Sequence, residues 1–159
     1  MMVVGITGHQ NIPASALDFI NAEIDRALQP FKSDLIGVSS LAEGSDQLFA
    51  RAVLRLGGRL HVVIPCSKYE DAFKDDLLIK NYHKLLSSAE EVETLDYPIP
   101  SEKAFLDAGR RIVEISKILI AVWDGQEAKG KGGTADIVNY AREIKKEVHV
   151  VWPLGLKRE

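Results

Sequence analysis

Three short segments of this chain gather the residue types that handle anions and hydroxyl groups. The densest reads Trp123-Asp124-Gly125-Gln126-Glu127-Ala128-Lys129-Gly130-Lys131-Gly132-Gly133-Thr134. Its glycines free the backbone to turn amides toward a ligand, and its lysines bring cations. Helical spacing that begins at Thr134 adds the positive end of a helix dipole. Together these make an anion cradle, with Gly132 and Gly133 supplying amides and Thr134 as the N-cap or as a hydroxyl donor to phosphate. The plainer reading is a surface loop closed by a threonine cap, for which Gly and Lys serve equally well.

A second segment, Gly8-His9-Gln10-Asn11-Ile12-Pro13, follows the run Val4-Gly5-Ile6-Thr7. A glycine directly after a strand allows close approach of a ligand to the backbone, and the helix that follows offers amides to an anion. A tight turn explains Gly8 as well, and His9 is either a donor to phosphate or base or a polar loop residue. The third segment is Leu41-Ala42-Glu43-Gly44-Ser45-Asp46. Carboxylates at such a place hydrogen-bond ribose hydroxyls in dinucleotide-binding folds. Helix capping by Ser45 or Asp46 is the competing explanation. Glu43 is harder to assign to a cap.

Other chemistries lack their patterns. A P-loop needs lysine directly before the hydroxyl residue, where Gly133 stands, and no Gly-x-Gly-x-x-Gly follows the first strand. The histidines His9, His61, His83 and His149 and the single Cys66 have no ligand-like spacing, so neither a metal nor a cofactor is expected. No nucleophile elbow is present.

The elements that must position these loops alternate along the chain. Strand-like runs occupy 3–7, 35–40, 60–65, 92–97, 118–124 and 148–153, most of them nearly continuously apolar, as strands covered on both faces are. Between them Leu17, Ile20, Ile24 and Leu28, then Leu48, Ala52 and Leu56, then Phe105, Ala108, Ile112 and Ile115 recur at helical steps. Gly57-Gly58 stops the second helix, and the last runs over about 134–146 with Asp136 early and Lys145 and Lys146 late. The stretch 70–89 reads as one helix or as two pieces. The expected fold is α/β, a three-layer α/β/α Rossmann-like arrangement with a mainly parallel sheet of about six strands. Ligands in such sheets gather outside the carboxyl ends of the strands, where the loops above fall.

A chain of 159 residues fits one domain, and 46% hydrophobic and 27% charged residues are ordinary for a water-soluble one. One cysteine, no charged-then-apolar leader and no apolar run of about 18 residues lead to the expectation of a cytoplasmic protein with no membrane partner. With a net charge of −3 and only small basic clusters, Lys129/Lys131, Lys145/Lys146 and Lys157-Arg158, the chain lacks the surplus that nucleic-acid binding draws on.

Taken together, Gly8-His9, Ala42-x-Gly44-x-Asp46 and Trp123-Asp124-Gly125 with Gly132-Gly133-Thr134 resemble the SLOG superfamily over about 3–153. That group includes the lonely-guy phosphoribohydrolases, DNA-uptake recombination mediators and the amino-terminal region of melastatin-type TRP channels. The resemblance implies a Rossmann-like sheet that binds nucleotides or their derivatives, often as a homo-oligomer. In the lonely-guy enzymes the last loop is similar to Pro-Gly-Gly-x-Gly-Thr-x-x-Glu, whose glutamate is catalytic. Gly133-Thr134 match the Gly-Thr, and the glutamate position falls on Ile137. Asp136 lies one residue early, about 100° away around a helix. Arg110 or Arg111 stands where those enzymes carry an arginine.

The leading functional expectation is binding or sensing of a nucleotide-like ligand through Gly8, His9, Glu43, Gly44, Asp46, Asp124, Gly125, Gly132, Gly133 and Thr134. The alternative is hydrolysis of a nucleotide N-glycosidic bond, with Glu43, Asp46, Asp136 and Arg110 as candidate catalytic groups. DNA handling, by analogy with the recombination mediators, is the third, and the acidic balance weighs against it.

Overall fold

The computed structural model describes residues 1–127 and 133–156. Six strands alternate with five α-helices: β1 (Met2–Gly8), α1 (Leu17–Leu28), β2 (Leu35–Ser39), α2 (Ser45–Arg55), β3 (Arg59–Ile64), α3 (Asp76–Leu86), β4 (Glu91–Thr94), α4 (Glu102–Ile115), β5 (Ile118–Val122), α5 (Thr134–Glu143) and β6 (Glu147–Val151). All strands join one sheet in the order β4-β3-β2-β1-β5-β6, and every pairing is parallel. The α/β Rossmann-like architecture read from the periodicity is the one observed.

Alternation along the strands sorts the layers. Val4 and Ile6 of β1 pack with Ile20, Ile24 and Leu28 of α1 and with Phe49 and Val53 of α2. Neighbouring Val3 faces the opposite layer, where Ala108, Ile112 and Val113 of α4 meet Ile137 and Ala141 of α5. Each fully buried Ile or Leu of these stripes stabilises the fold by roughly 1.5–3 kcal/mol relative to exposure, which is why the periodic stripes located the helices. Asp75 and Ser101 cap α3 and α4 by accepting the amides of Leu78 and Ala104 at 2.9 and 3.0 Å. Among the described residues no helix is long and apolar enough to cross a membrane.

One open boundary is settled and another moves. The stretch 70–89 is two pieces, a 3-10 turn at Tyr69–Ala72 and helix α3. The run 92–97 leaves the ladder after Thr94, because the carbonyls of Tyr97 and Pro98 are taken by the amides of Ser67 and Lys68 in the loop after β3. That exchange draws the β3 loop over the carboxyl edge of the sheet.

The chain leaves β1 toward β2 on one side and returns to β5 on the other, so β1 and β5 form the switch point of the sheet, where the crossovers diverge and a crevice opens. The two glycines that flank α2 share a left-handed backbone but differ in what surrounds them. Gly44, before α2, has φ +85°, and a Cβ there would stand 2.2 Å from the carbonyl oxygen of Gln10. Gly57, after α2, has φ +80° but open space around it. Gly57→Ala is therefore expected to cost about 1 kcal/mol through backbone strain. Gly44→Ala is expected to cost at least about 2 kcal/mol more, since two loops must separate. Urea unfolding of both variants checks this; equal costs would show that the contact with Gln10 carries no energy.

Candidate functional site

The crevice is a cleft of about 480 Å³ along the carboxyl ends of β1, β2 and β3, closed on one side by the start of α5 and on another by α4. The loop after β1 forms its middle. Position 8, the last of the strand, takes glycine because a Cβ there would press within 2.6 Å of Ser45 and 2.8 Å of Val122. Close packing by α2 thus accounts for this glycine, although the residue still lines the cleft. His9 is buried, at 6% exposure. Its amide donates to the carbonyl of Val122 at 3.1 Å, and its carbonyl accepts from the amide and hydroxyl of Ser45 at 3.2 and 2.7 Å. Its ring edge packs against Trp152, with centroids 5.4 Å apart. Nε2 lies 3.2 Å from both the amide and the carboxylate of Asp124, and Nδ1 lies 3.5 Å from Thr134 Oγ1. A neutral ring with a bare Nε2 accepts the Asp124 amide; a protonated ring donates to the carboxylate instead.

The loop after β2 folds back on the first turn of α2. Ser39 Oγ accepts the Leu41 amide at 3.0 Å and donates to the Asp46 carbonyl at 3.2 Å. Gln47 Nε2 donates to the Leu41 carbonyl at 3.1 Å, and Asp46 Oδ2 accepts the Ala42 amide at 3.1 Å. The capping explanation for Ser45 and Asp46 is therefore corrected: Gly44 is the N-cap, without a side-chain bond, and both polar side chains turn toward the loops. Glu43 and Asp46 both reach the cleft.

The loop after β5 divides. The Asp124 side chain is buried against His9 and accepts the Gln126 amide at 3.0 Å, so it braces the loop. Gly125 turns the chain at φ +85° on the exposed side. Gly132, Lys129 and Lys131 lie outside the described residues. Gly133 is the N-cap of α5, and Thr134, expected as the cap or a donor, is the first helical residue, 8% exposed, on the cleft wall. Ile137 also lines the cleft, 2% exposed. It fits over Gly109 of α4, where a Cβ would come within 2.4 Å of Ile137 Cδ1. Asp136 is not among the cleft residues. Neither arginine enters: Arg110 stacks over the Tyr140 ring at 5.2 Å, and Arg111 donates to Glu93 Oε1 at 2.6 Å.

The far end of the cleft was not anticipated from sequence. Tyr69 and Phe73, from the loop after β3, and Phe105 of α4 form an aromatic wall there, with Lys74 beside it. Tyr82 supports the wall from behind, stacked on Phe73 at 5.0 Å. The rule that ligands sit at strand ends applies to β3 as it does to its neighbours. The pair Tyr69…Phe73 in that loop is the signal that could have found it.

Charge in the cleft is mostly acidic among the described residues: Glu43, Asp46 and Glu127 against Lys74. Burial at the base of the cleft pushes the Asp46 carboxyl up to about 7, although the Ala42 amide works in the opposite direction. Burial, and then the nearby Asp46 charge, push the Tyr69 phenol well above its ordinary value. Between roughly pH 4 and pH 7 the native chain holds a proton on Asp46 that the unfolded chain has released, so this group's contribution to stability is lost as pH rises through that window. Asp46→Asn keeps an acceptor for the Ala42 amide and removes the slope. The variant is expected to gain about 2 kcal/mol on the parent between about pH 4.5 and about pH 8, after allowance for solvent reaching through the cleft. Urea titrations at the two pH values check this, and a constant difference between variant and parent would overturn it.

No protein-family model matches this chain, and no curated protein matches it in sequence. Solved structures do. DNA processing protein A from Streptococcus pneumoniae superposes with a TM-score of 0.73 at 20% identity, over 99% of this chain and 52% of that one. The chain thus spans about half the length of that protein. DNA processing protein A from Helicobacter pylori, described for its single-stranded DNA binding mode, gives 0.68 at 18% identity, over 99% and 68%. The molybdenum cofactor carrier protein of Chlamydomonas reinhardtii gives 0.58 at 16% identity, over 94% and 75%. At such identities the likeness is one of fold: the chain has the Rossmann-like α/β fold of these structures.

Proposed function

We propose that the cleft binds a nucleotide or a nucleotide-derived phosphate ligand, with the phosphate at the start of α5 and the base on the aromatic wall. The observation that carries this reading is the order of chemistries along the strand ends. The amide-bearing start of α5 stands beyond β5, the acids Glu43 and Asp46 beyond β2, and Tyr69 and Phe73 beyond β3. A helix N-terminus suits phosphate, carboxylates suit ribose hydroxyls, and an aromatic face suits a flat base. Its volume of about 480 Å³ lies within the usual range for small-ligand sites, roughly 300–1,000 Å³. One structural neighbour is described as binding single-stranded DNA and another as a cofactor carrier. The acidic lining and net charge of −3 favour the small ligand over a strand of phosphates.

A second reading draws on Asp46. A carboxyl that exchanges its proton near neutrality, in the part of the cleft assigned to ribose, has the properties of a general acid for breaking an N-glycosidic bond. Ile137 supplies no second carboxylate.

Titration calorimetry with AMP, ADP-ribose and cyclic AMP tests the main reading. At least one is expected to bind, and Phe73→Ala is expected to weaken it about tenfold through lost stacking. No heat from any of them would overturn it. Incubation of the same compounds with the protein tests the second reading: release of free base that ceases in Asp46→Asn supports it, and intact ligand after prolonged incubation rejects it.

A further inference from the structure

The cleft joins two features that conflict electrostatically. Its α5 end is built to attract an anion, yet Asp46 makes no ion pair among the described residues and receives only the Ala42 amide. The titratable groups that share the cleft with it are Glu43 from its own loop, His9 from the β1 loop, Tyr69 and Lys74 from the β3 loop, and Glu127 from the segment after β5; of these Tyr69 feels its charge directly. The cleft residues of α4 are Phe105, Ala108, Gly109 and Ile112, none of them charged. Lys74 is thus the one described lysine or arginine against three acids. An arriving anion adds negative charge to a crevice whose described residues already carry an excess of it.

The first residue of α2 bonds the His9 carbonyl and the first residue of α5 lies beside the His9 ring, so Asp46 and an anion at α5 stand on the order of 10 Å apart. At that distance, with an effective dielectric of about 20, one added negative charge raises the affinity of a carboxylate for its proton about tenfold. We propose that Asp46 takes up a proton when an anionic ligand enters the cleft, so that ligand binding and proton binding are coupled. This rests on the phosphate-ligand reading above. The protonated carboxyl keeps an oxygen for the Ala42 amide and gains an O–H to offer the ligand. Burial already holds this group near neutrality in the free protein, so a small added charge changes its state at ordinary pH.

The test is calorimetric titration of the intact protein with ADP-ribose and with cyclic AMP, whose phosphates do not titrate near neutrality. Each titration is run at about pH 6 and about pH 9 and, near pH 7.5, in two buffers of different ionisation enthalpy. The expected result is a loss of affinity of about tenfold across that range, with net proton uptake at pH 7.5. In Asp46→Asn both effects should vanish, whatever its absolute affinity. His9 and Lys74 remain titratable in that variant, so a pH dependence that survives the substitution overturns the assignment to Asp46. Binding by the parent with no pH dependence and no proton uptake overturns the coupling while leaving the ligand reading intact. No binding by either compound at any pH removes both.

Discussion

The main chain of His9 is where the architecture of the cleft is decided. Its amide continues the β1–β5 pairing one residue past the strand, and its carbonyl holds the first residue of α2 through two bonds. The same residue sends its ring between Asp124, Thr134 and Trp152. One residue thus fixes the separation of α2 from β1, the direction in which the chain leaves β5, and the seat of the first turn of α5. Gly8 and Gly44 follow from this. Each stands where the loops are drawn so close that a side chain would collide with Ser45 or with the carbonyl of Gln10. An open parallel sheet makes a crevice at its switch point by topology alone. The set of bonds around His9 gives that crevice a defined width.

Within this frame the cleft sorts charge by depth and by strand. The start of α5 lies at one end and aromatic rings at the other, and carboxylates lie between them with Lys74 as the one lysine or arginine among the described cleft residues. Asp46 is the clearest case, because its loop spends its polar groups on internal bonds. Ser39 is taken by the Leu41 amide and the Asp46 carbonyl, Gln47 donates to the Leu41 carbonyl, and the carboxylate keeps a single donor, the Ala42 amide. Burial sets the range in which this group titrates, and a charge entering the cleft moves it further. Its protonation state is therefore a property of occupancy as well as of pH.

The layers, the strand order of events along the chain and the placement of Gly8, Glu43, Asp46, Gly133 and Thr134 at one edge were legible from periodicity and from the rule of strand ends. Burial of Ile20, Ile24 and Leu28, or of Val4 and Ile6, leaves a period in the sequence that local reading recovers. The reasons for individual residues were less accessible. Whether Gly8 admits a ligand or a neighbouring helix depends on Ser45, thirty-seven positions away in the chain. Whether Asp46 caps a helix or faces a cleft depends on the Ala42 amide and the left-handed turn at Leu41. Arg110 belongs to a helix face that the period alone left undetermined, and it went to Tyr140. The aromatic wall escaped because Tyr69 and Phe73 lie in a stretch without a clear period, placed over the sheet by backbone bonds to Tyr97 and Pro98.

The fit of Ile137 over Gly109 ties two positions into one inheritance. A carboxylate at 137 would lie against Ala108, Gly109 and Ile112 with no donor from α4, a placement that burial penalises heavily. A larger residue at 109 would meet Ile137 before it met anything else. Neither position can drift alone without loss, and the pair holds in place the apolar seam between α4 and α5. An acid at 137 would need a hydrogen-bond donor that the apolar face of α4 does not offer. The seam therefore limits what chemistry this edge of the sheet can carry.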